Sequence, residues 1–407
     1  MTATLPWLDD DPALGSFRVN RTSMTSPEVL DAEHRRIFDH CWLYLGHESE
    51  VAEPNAVRSR TVAGRPLLLA RGPDGELGVF YNSCPHRGAT LCREQHSDGR
   101  FLRCFFHAWT FDTTGALISL PDEDGYGPHF DRARHGLVSP PRVDSYRGFV
   151  FVCFDPSAEP LTEYLGKARE YIDLVIEHGL DDGIEVGRHP QTYSIAANWK
   201  LLMENSIDGY HALPTHKRWF DILKSSGVDI GARVGGVRSR VEDLGNGHAI
   251  TFAPPLAMEP EDTELRAALD ARRSTQAGRL GSRGSDLDVA RAMLIFPNLI
   301  IIDLPPGITI RKVEPIAADR MEVQAWFVLP RGESPALSRW RLDFSTTFWG
   351  PGGLGTPDDM EALECCQRGF AGAREQPWSD ISRGMTRAQP TGLDGCRCGS
   401  SGAGGTS

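Results

Sequence analysis

CPHRGATLCREQHSDGRFLRCFFH, residues 84–107, is the stretch that decides the fold of the N-terminal part of this chain. Cys84 and His86 open it and Cys104 and His107 close it, in the pattern C-x-H-x17-C-x2-H. Two thiolates and two imidazoles, delivered in pairs from two loops, can hold a [2Fe–2S] cluster. Two histidines on one iron raise the reduction potential well above that of an all-cysteine cluster, so the pattern predicts a redox protein.

A structural zinc site is the main alternative, because zinc accepts the same types of ligand. The common zinc finger takes both cysteines from one loop and both histidines from the other. Here each loop gives one cysteine and one histidine. A zinc-stabilised binding protein without catalytic activity is the alternative that a colourless preparation would support.

The residues that flank the four ligands, Arg87-Gly88-Ala89 and Ala108-Trp109-Thr110-Phe111, resemble the two cluster loops of Rieske iron–sulfur proteins. In that family a glycine lets a tight loop approach the cluster, and backbone N–H groups bond the sulfides. The resemblance implies that the four residues of the pattern ligate a Rieske [2Fe–2S] cluster.

A second set of metal-ligand residue types lies in ENSIDGYHALPTH, residues 204–216. Two neutral imidazoles and one carboxylate form the facial triad of non-haem Fe(II) oxygenases, which leaves positions open for O2 and substrate. His211 and His216 supply the imidazoles, and the carboxylate must come from elsewhere in the chain. A histidine pair near a helix end has a structural role more often than a metal-binding one.

The spacing predicts a helix over residues 198–212, with Asp208 and His211 on one face. Pro214 is predicted to end this helix. His216 then lies just beyond the break, where it can fold back toward His211.

Asn198-Trp199-Lys200, followed by E-N-x-x-D-x-Y-H-x4-H, closely resembles the α subunits of Rieske-type aromatic-ring-hydroxylating oxygenases over roughly residues 20–390. The runs 204–216 and 149–154 are most similar to the p-cumate and substituted-benzoate branch. The resemblance also supplies the third iron ligand, in GPGGLGTPDD, residues 350–359. Asp359 aligns with the family's iron-binding carboxylate, and Asp358 is the second candidate for that ligand. The alternative role for this acid pair is a favourable interaction with a helix N-terminus.

Asp208 has a separate role by resemblance. In the family this carboxylate bridges a Rieske histidine of a neighbouring subunit to an iron-ligating histidine, here His107 and His211. A carboxylate that accepts N–H from both imidazoles fixes their tautomers. The bridge implies a head-to-tail ring, a homotrimer with or without a small β subunit (α3β3).

The resemblance implies the terminal oxygenase component of an aromatic catabolic pathway. Electrons from NADH would reach it through a separate reductase or ferredoxin. With O2 it would cis-dihydroxylate a small aromatic substrate, which we expect to carry a carboxylate. A monooxygenase or O-demethylase acting on an aromatic acid is the alternative within the same fold. An iron–sulfur electron carrier without catalytic activity is a further one.

Substrate-contacting residues are expected near the ligand segments. The candidates are Asn198, Met203, Ile207, Asn298, Trp349 and Leu354. A carboxylated substrate calls for a basic side chain, and Arg233, Arg238 and Arg311 are the candidates.

Composition argues against several other classes of protein. The 407 residues carry a net charge of −12, and no basic block suggests nucleic-acid binding. The longest apolar run, residues 292–310, is interrupted by prolines and an aspartate, which predicts strands and no membrane span. The N-terminus lacks a basic secretory signal. Five of the seven cysteines outside the ligand set, interpreted as free buried thiols, favour the cytoplasm; they are Cys41, Cys92, Cys153, Cys365 and Cys366.

We therefore expect an α+β fold: a small all-β Rieske domain, and a larger catalytic domain with an antiparallel sheet covered by helices, a helix-grip-like arrangement. A helix from Ser26 to about Leu45 is also predicted. The expected parts are 1–45, an N-terminal helical segment packing on the catalytic domain; 46–156, the Rieske domain; 157–391, the catalytic domain; and 392–407, a disordered tail. The Gly- and Ser-rich tail lacks an apolar face, and we interpret it as non-native sequence from a frameshift or truncation.

Overall fold

The computed structural model describes residues 7–97, 99–187, 189–225, 240–253, 258–281, 289–304, 306–372, 375–387 and 391. The chain divides into two compact units. His34–Leu161 form one, here called the β unit. The residues up to Glu33 and those from Thr162 onward form the other, here called the mixed unit. Our expected boundaries, 45/46 and 156/157, lie near but not at these divisions.

The N-terminal segment of the mixed unit is a short hairpin followed by a helix. Its elements are β1 (Leu8–Asp11), β2 (Ser16–Asn20), a 3-10 turn (Arg21–Met24) and α1 (Pro27–Glu33). Ser26 caps α1, since its Oγ accepts a hydrogen bond from the Val29 N–H at 3.2 Å.

The predicted continuation of this helix to Leu45 is wrong. After α1 the chain makes a π-helical turn, His34–Phe38, and then enters strand β3, Leu43–His47. Every residue of β3 is buried, and the strand pairs with Phe149–Cys153. A short run of buried residues such as Leu43–His47 is compatible with a strand in a covered sheet as well as with a buried helix, so periodicity alone could not distinguish the two.

In the described residues of the β unit, ten short strands form three antiparallel sheets. The strands after β3 are β4 (Val57–Val62), β5 (Arg65–Arg71), β6 (Leu77–Tyr81), β7 (His96–Ser97), β8 (Phe101–Arg103), β9 (Thr110–Asp112), β10 (Leu117–Ser119), β11 (Arg142–Tyr146) and β12 (Phe149–Cys153). Their orders are β6-β5-β4-β7, β10-β9-β8 and β11-β12-β3. Strands β5 and β6 form an antiparallel hairpin.

The mixed unit is built on one eight-stranded antiparallel sheet. Its strands are β13 (Ile184–Val186), β14 (Gln191–Ile195), β15 (Arg240–Gly245), β16 (His248–Ala253), β17 (Ala290–Ile295), β18 (Leu299–Leu304), β19 (Gly307–Ala317) and β20 (Arg320–Pro330). The order is β13-β20-β19-β18-β17-β16-β15, and β14 pairs with another part of β20. A separate strand, β21 (Trp378–Asp380), joins β2 and β1.

Helices cover this sheet, which confirms the predicted α+β class. They are α2 (Leu161–Leu165), α3 (Ala168–Glu177), α4 (Trp199–Asn205), α5 (Ala212–Thr215), α6 (Lys217–Ser225), α7 (Thr263–Leu280), α8 (Pro335–Trp349) and α9 (Thr356–Gly372). Helices α2 and α3 are separate, because Gly166 adopts a left-handed φ of +47° between them. Asp262 caps α7, since its Oδ1 accepts hydrogen bonds from the N–H groups of Glu264 and Leu265.

No helix in the described ranges is both long and apolar enough to cross a membrane. Cys365 and Cys366 are free but exposed on α9, so their predicted burial is wrong. The tail, 392–407, lies outside the described residues, as do Arg233 and Arg238.

Candidate metal centres

The first cysteine loop of the β unit is closed by two backbone hydrogen bonds. The Cys84 N–H donates to Ala89 O at 2.9 Å, and the Gly88 N–H donates to Cys84 O at 2.8 Å. Gly88 has a φ of +74°, in the left-handed region that glycine adopts without steric cost.

The second loop closes in the same way. The Cys104 N–H donates to Trp109 O at 2.8 Å, and the Ala108 N–H donates to Cys104 O at 2.9 Å. Ala108 stands where Gly88 stands in the first loop and has a φ of +59°. The two loops are therefore structural equivalents, each of which presents one cysteine and one histidine.

The thiols lie inside the core of the β unit, and the imidazoles lie nearer its surface. Cys84 and Cys104 are buried, whereas His86 is half-buried and His107 is exposed. The two imidazole rings are 4.6 Å apart, and Trp109 stacks on His86 at 5.1 Å. Burial raises the pKa of the Cys84 thiol, so a thiolate here needs the positive charge of a metal.

The spread of these four ligands bears on the zinc alternative. A single tetrahedral ion needs all four donor atoms around one point. Within the described ranges, one group of three or more His, Cys, Asp or Glu residues has its donor atoms all within 4.8 Å of one another, and it contains none of the four. Their separation suits a cluster with two irons better than one zinc ion.

The second centre lies in the mixed unit and begins with helix α4. Asn198 caps this helix by accepting a hydrogen bond from the Lys200 N–H at 3.1 Å. The helix ends at Asn205, and the Ser206 hydroxyl donates to Leu202 O at 2.7 Å. The Asp208 N–H donates three residues back, to Asn205 O, at 3.2 Å. The continuous helix predicted to residue 212 is therefore wrong, because this chain segment tightens and turns after Asn205.

Two short helices then place the histidines. His211 is the N-cap residue of α5, and His216 is its C-cap residue. Pro214 lies inside α5, so the prediction that it ends a helix is wrong. Proline is accommodated there because the first N–H groups of a helix have no intrahelical partner.

Asp359, in the first turn of α9, completes a three-residue centre. Its Oδ1 lies 3.3 Å from His211 Nε2 and 3.2 Å from His216 Nε2. The three donor atoms are within 4.8 Å of one another. His216 and Asp359 are buried, and His211 is half-buried. The structure thus brings together the two histidines and the carboxylate that the sequence singled out.

Each histidine has a second carboxylate behind it. Asp208 Oδ2 is 3.5 Å from His211 Nδ1, and Asp358 Oδ2 is 3.5 Å from His216 Nδ1. Metal-bound histidines commonly orient their other ring nitrogen toward a carboxylate in this way. Asp358 therefore occupies an outer position, and Asp359 the inner one.

The charges of this centre fit a divalent cation. Burial lowers the pKa of His211, but its contacts with Asp208 and Asp359 outweigh burial and raise the pKa to about 9. Burial raises the pKa of Asp359, but contacts with His211 and His216 outweigh it and hold the pKa well below its usual range. Asp359 Oδ1 is buried without a hydrogen-bond partner. Two imidazoles and one carboxylate with such an atom between them suit the two-histidine, one-carboxylate iron site.

The candidate substrate residues differ in their burial and in whether their side chains are already engaged in the fold. The Asn198 side chain is engaged in the fold, since it caps α4 and its Nδ2 donates to Ala318 O at 2.7 Å. Met203, Ile207 and Asn298 are buried. Trp349 and Leu354 are half-buried.

Trp349 lies close to the metal ligands through its neighbour. Its ring contacts Phe348 at 4.4 Å, and Phe348 contacts His216 at 5.7 Å. A Cβ added to Gly355 would lie 2.8 Å from the Phe348 ring, so this glycine gives Phe348 its space.

The sequence matches two known protein families. The Rieske [2Fe-2S] domain matches residues 41–142. The ring hydroxylating alpha subunit (catalytic domain) matches residues 183–389, half of the chain. This chain belongs to the ring-hydroxylating α-subunit family. Its predicted enzyme class, an aromatic-ring-hydroxylating dioxygenase, and its cofactors, a Rieske [2Fe–2S] cluster and mononuclear iron, are confirmed at the level of the family.

Individual relatives of this α subunit agree with the predicted branch. The toluate 1,2-dioxygenase subunit alpha of Pseudomonas putida is 34% identical over 93% of this chain and 84% of its own length. The 2-halobenzoate 1,2-dioxygenase large subunit of Burkholderia cepacia is 32% identical over 93% of this chain and 82% of its own. The crystal structure of naphthalene 1,2-dioxygenase from Rhodococcus sp. bound to indole superposes with a TM-score of 0.79 at 28% identity, covering 90% of this chain and 86% of that one.

Proposed function

We propose that this α subunit is the terminal oxygenase that cis-dihydroxylates a substituted benzoate. The observation that carries the proposal is the convergence of His211, His216 and Asp359 in a chain that also has the two cysteine loops. The toluate and halobenzoate relatives support the choice of an aromatic carboxylate.

In the proposed assignment, Cys84, His86, Cys104 and His107 hold the cluster, and the three-residue centre holds the mononuclear iron. When bound, the cluster supplies electrons and the mononuclear iron supplies the site of O2 activation.

The protein residues then position and insulate that site. The two histidines offer Nε2 inward, while the carboxylates of Asp208 and Asp358 lie 3.5 Å from the opposite ring nitrogens, where they would favour the Nδ1–H tautomer. Burial of Asp359 and His216 excludes water from the inner side of the centre.

Electron delivery belongs to the same proposal. Asp208 would bridge His211 to His107 of a neighbouring subunit, which requires a head-to-tail ring, and a trimer with or without a small β subunit provides it. Electrons would come from NADH through a separate ferredoxin or reductase, and the compartment would be the cytoplasm.

Anaerobic purification followed by a single-turnover assay tests the proposal. Iron and acid-labile sulfide are counted, the protein is reduced, and benzoate or a toluate is supplied with isotopically labelled O2. A cis-diol that carries both labelled oxygen atoms is the expected product. A phenol or demethylated acid with one labelled atom would establish monooxygenation instead, and a colourless zinc protein would overturn the assignment.

A further inference from the structure

Arg311, on strand β19, is a buried guanidinium without a carboxylate partner in the described parts of the chain. The residue is 2% exposed. Its Nη2 donates to the Thr356 hydroxyl at 2.8 Å, and its Nε is buried without any partner. A guanidinium has five N–H donors, so its hydrogen-bonding capacity is largely unused.

Other buried arginines of the mixed unit are paired. Arg291 forms an ion pair with Asp303, and Arg341 forms one with Glu333 at 2.7 Å. A buried charge that lacks a counter-charge is costly, so an unpaired one in a folded enzyme points to a partner that arrives with the ligand. The Trp349 ring, 5.0 Å from the guanidinium carbon of Arg311, offers a cation–π contact but no negative charge.

The position of Arg311 connects it to the iron centre. Its partner Thr356 begins helix α9, three residues before Asp359. Thr356 in turn donates its hydroxyl hydrogen to Trp349 O at 2.9 Å. The guanidinium therefore lies against the segment that carries the metal-binding carboxylate.

Neighbouring strands add polar atoms on the same face of the sheet. Gln191 and Arg311 both pair with Ala325, and Tyr193 is two residues from Gln191, so their side chains share a face. The Tyr193 hydroxyl and Gln191 Oε1 are buried without hydrogen-bond partners. Burial raises the pKa of Tyr193, Arg311 lowers it and Asp359 raises it, which places the phenol within electrostatic range of both charges.

We propose that Arg311 binds the carboxylate of the substrate and thereby selects aromatic acids over neutral aromatics. The inference rests on the proposed function, since it takes the neighbouring centre to be where the aromatic ring is oxidised. Arginine suits the role because its planar fork matches a carboxylate and stays charged at any working pH.

The test compares benzoate with benzamide, a neutral analogue of nearly the same shape, in the metal-loaded protein and in Arg311→Gln. Loss of a hydrogen-bonded charge pair should lower kcat/KM for benzoate about 10- to 100-fold, while benzamide changes little. Arg311→Lys, which keeps the charge without the fork, should fall between. Arg320→Gln, an exposed arginine on strand β20, is the matched control and should behave as wild type.

Two results would overturn the proposal. One is an equal loss for benzoate and benzamide, together with a lower melting temperature, which indicates a structural role. The other is an unchanged preference in Arg311→Gln. If that variant does not fold, wild-type binding decides, by equilibrium dialysis of labelled benzoate against benzamide: wild type should prefer benzoate at least about tenfold, and equal affinities refute the role.

Failure of the proposed function has a different signature. A protein loaded with both metals that oxidises neither compound would refute aromatic oxygenation. Dialysis of labelled benzoate into wild type and Arg311→Gln would still show whether Arg311 binds the carboxylate.

Discussion

Gly88 and Ala108 occupy the same position in the two cysteine loops of the β unit. Each lies four residues after a cysteine, donates its N–H to that cysteine's carbonyl oxygen and has a positive φ, +74° and +59°. Both loops therefore require a positive φ at this position, which is occupied by glycine in the first loop and by alanine in the second.

Substitution of Gly88 by valine should reduce cluster content. An L residue in the left-handed region costs about 1–2 kcal/mol, and a β-branched one is disfavoured most. An added Cβ would meet only Ser83 Oγ at 3.8 Å, so the loss would come from backbone conformation and not from crowding. Visible absorbance and acid-labile sulfide measure the cluster. Gly88→Ala and Ala108→Gly are the controls and should retain it; a fully loaded valine variant would show that the loop tolerates another backbone.

Asp359→Ala should remove the mononuclear iron and leave the cluster. Iron should fall from about three to about two per chain, with sulfide unchanged, because two imidazoles alone bind Fe(II) weakly. Asp358→Asn is the matched variant, since its carboxylate is 3.5 Å behind His216. That variant should keep its iron but bind it about 10- to 100-fold less tightly. The same iron loss in both variants would contradict the inner and outer assignment.

Asp208→Ala should keep both metals and lose nearly all turnover, because the carboxylate behind His211 is the proposed link between subunits. Metal analysis and steady-state assays with the electron donor measure the two effects. Asp221→Asn removes an exposed carboxylate, paired with Lys217 on α6, and should retain activity. Near-normal turnover in a fully loaded Asp208→Ala protein would show that the link is unnecessary.

His248 should make the mixed unit sensitive to acid. Burial lowers the pKa of His248 to about 4, and the neutral ring accepts from the Phe296 N–H and donates to Tyr164 O. The unfolded imidazole has a pKa of about 6.5. The folded state binds fewer protons, so this stabilisation is complete above about pH 6.5 and is lost as pH falls toward 4.

At pH 5 the loss should be about 2 kcal/mol relative to pH 7. Urea unfolding of wild type and His248→Asn at both values measures it. The asparagine variant should be less stable at pH 7 and show a weaker pH dependence. An identical pH dependence in the two proteins would mean that His248 does not titrate on unfolding.

The candidate metal ligands could be predicted from the sequence, because each ligand pair lies within a few residues of the chain. A cysteine and a histidine within a few residues, or two histidines around a short turn, restrict the metal that they can bind. The backbone conformation between the ligands was harder to predict. Helix α4 ends at Asn205 because the Ser206 hydroxyl and backbone bonds to residues three positions back replace the helical pattern, and periodicity does not report such competition.

Contacts between residues distant in sequence were the other feature that could not be predicted. Sequence offered Arg311 as one of three equal candidates, and its special position depends on Thr356, 45 residues away on a different element. Tyr193 was not identified at all, since a tyrosine in a predicted strand is ordinary. Only the strand register places it on the same face as Arg311.

The discontinuity of the mixed unit has a consequence for biosynthesis. Because β21, Trp378–Asp380, pairs with β2, Ser16–Asn20, β2 cannot complete its pairing until a segment more than 350 residues further along the chain has been synthesised. The β unit, complete at Leu161, has no such delay. All four cluster ligands therefore leave the ribosome before Asp359 is synthesised, so assembly of the iron–sulfur cluster does not have to wait for the carboxylate of the second metal centre.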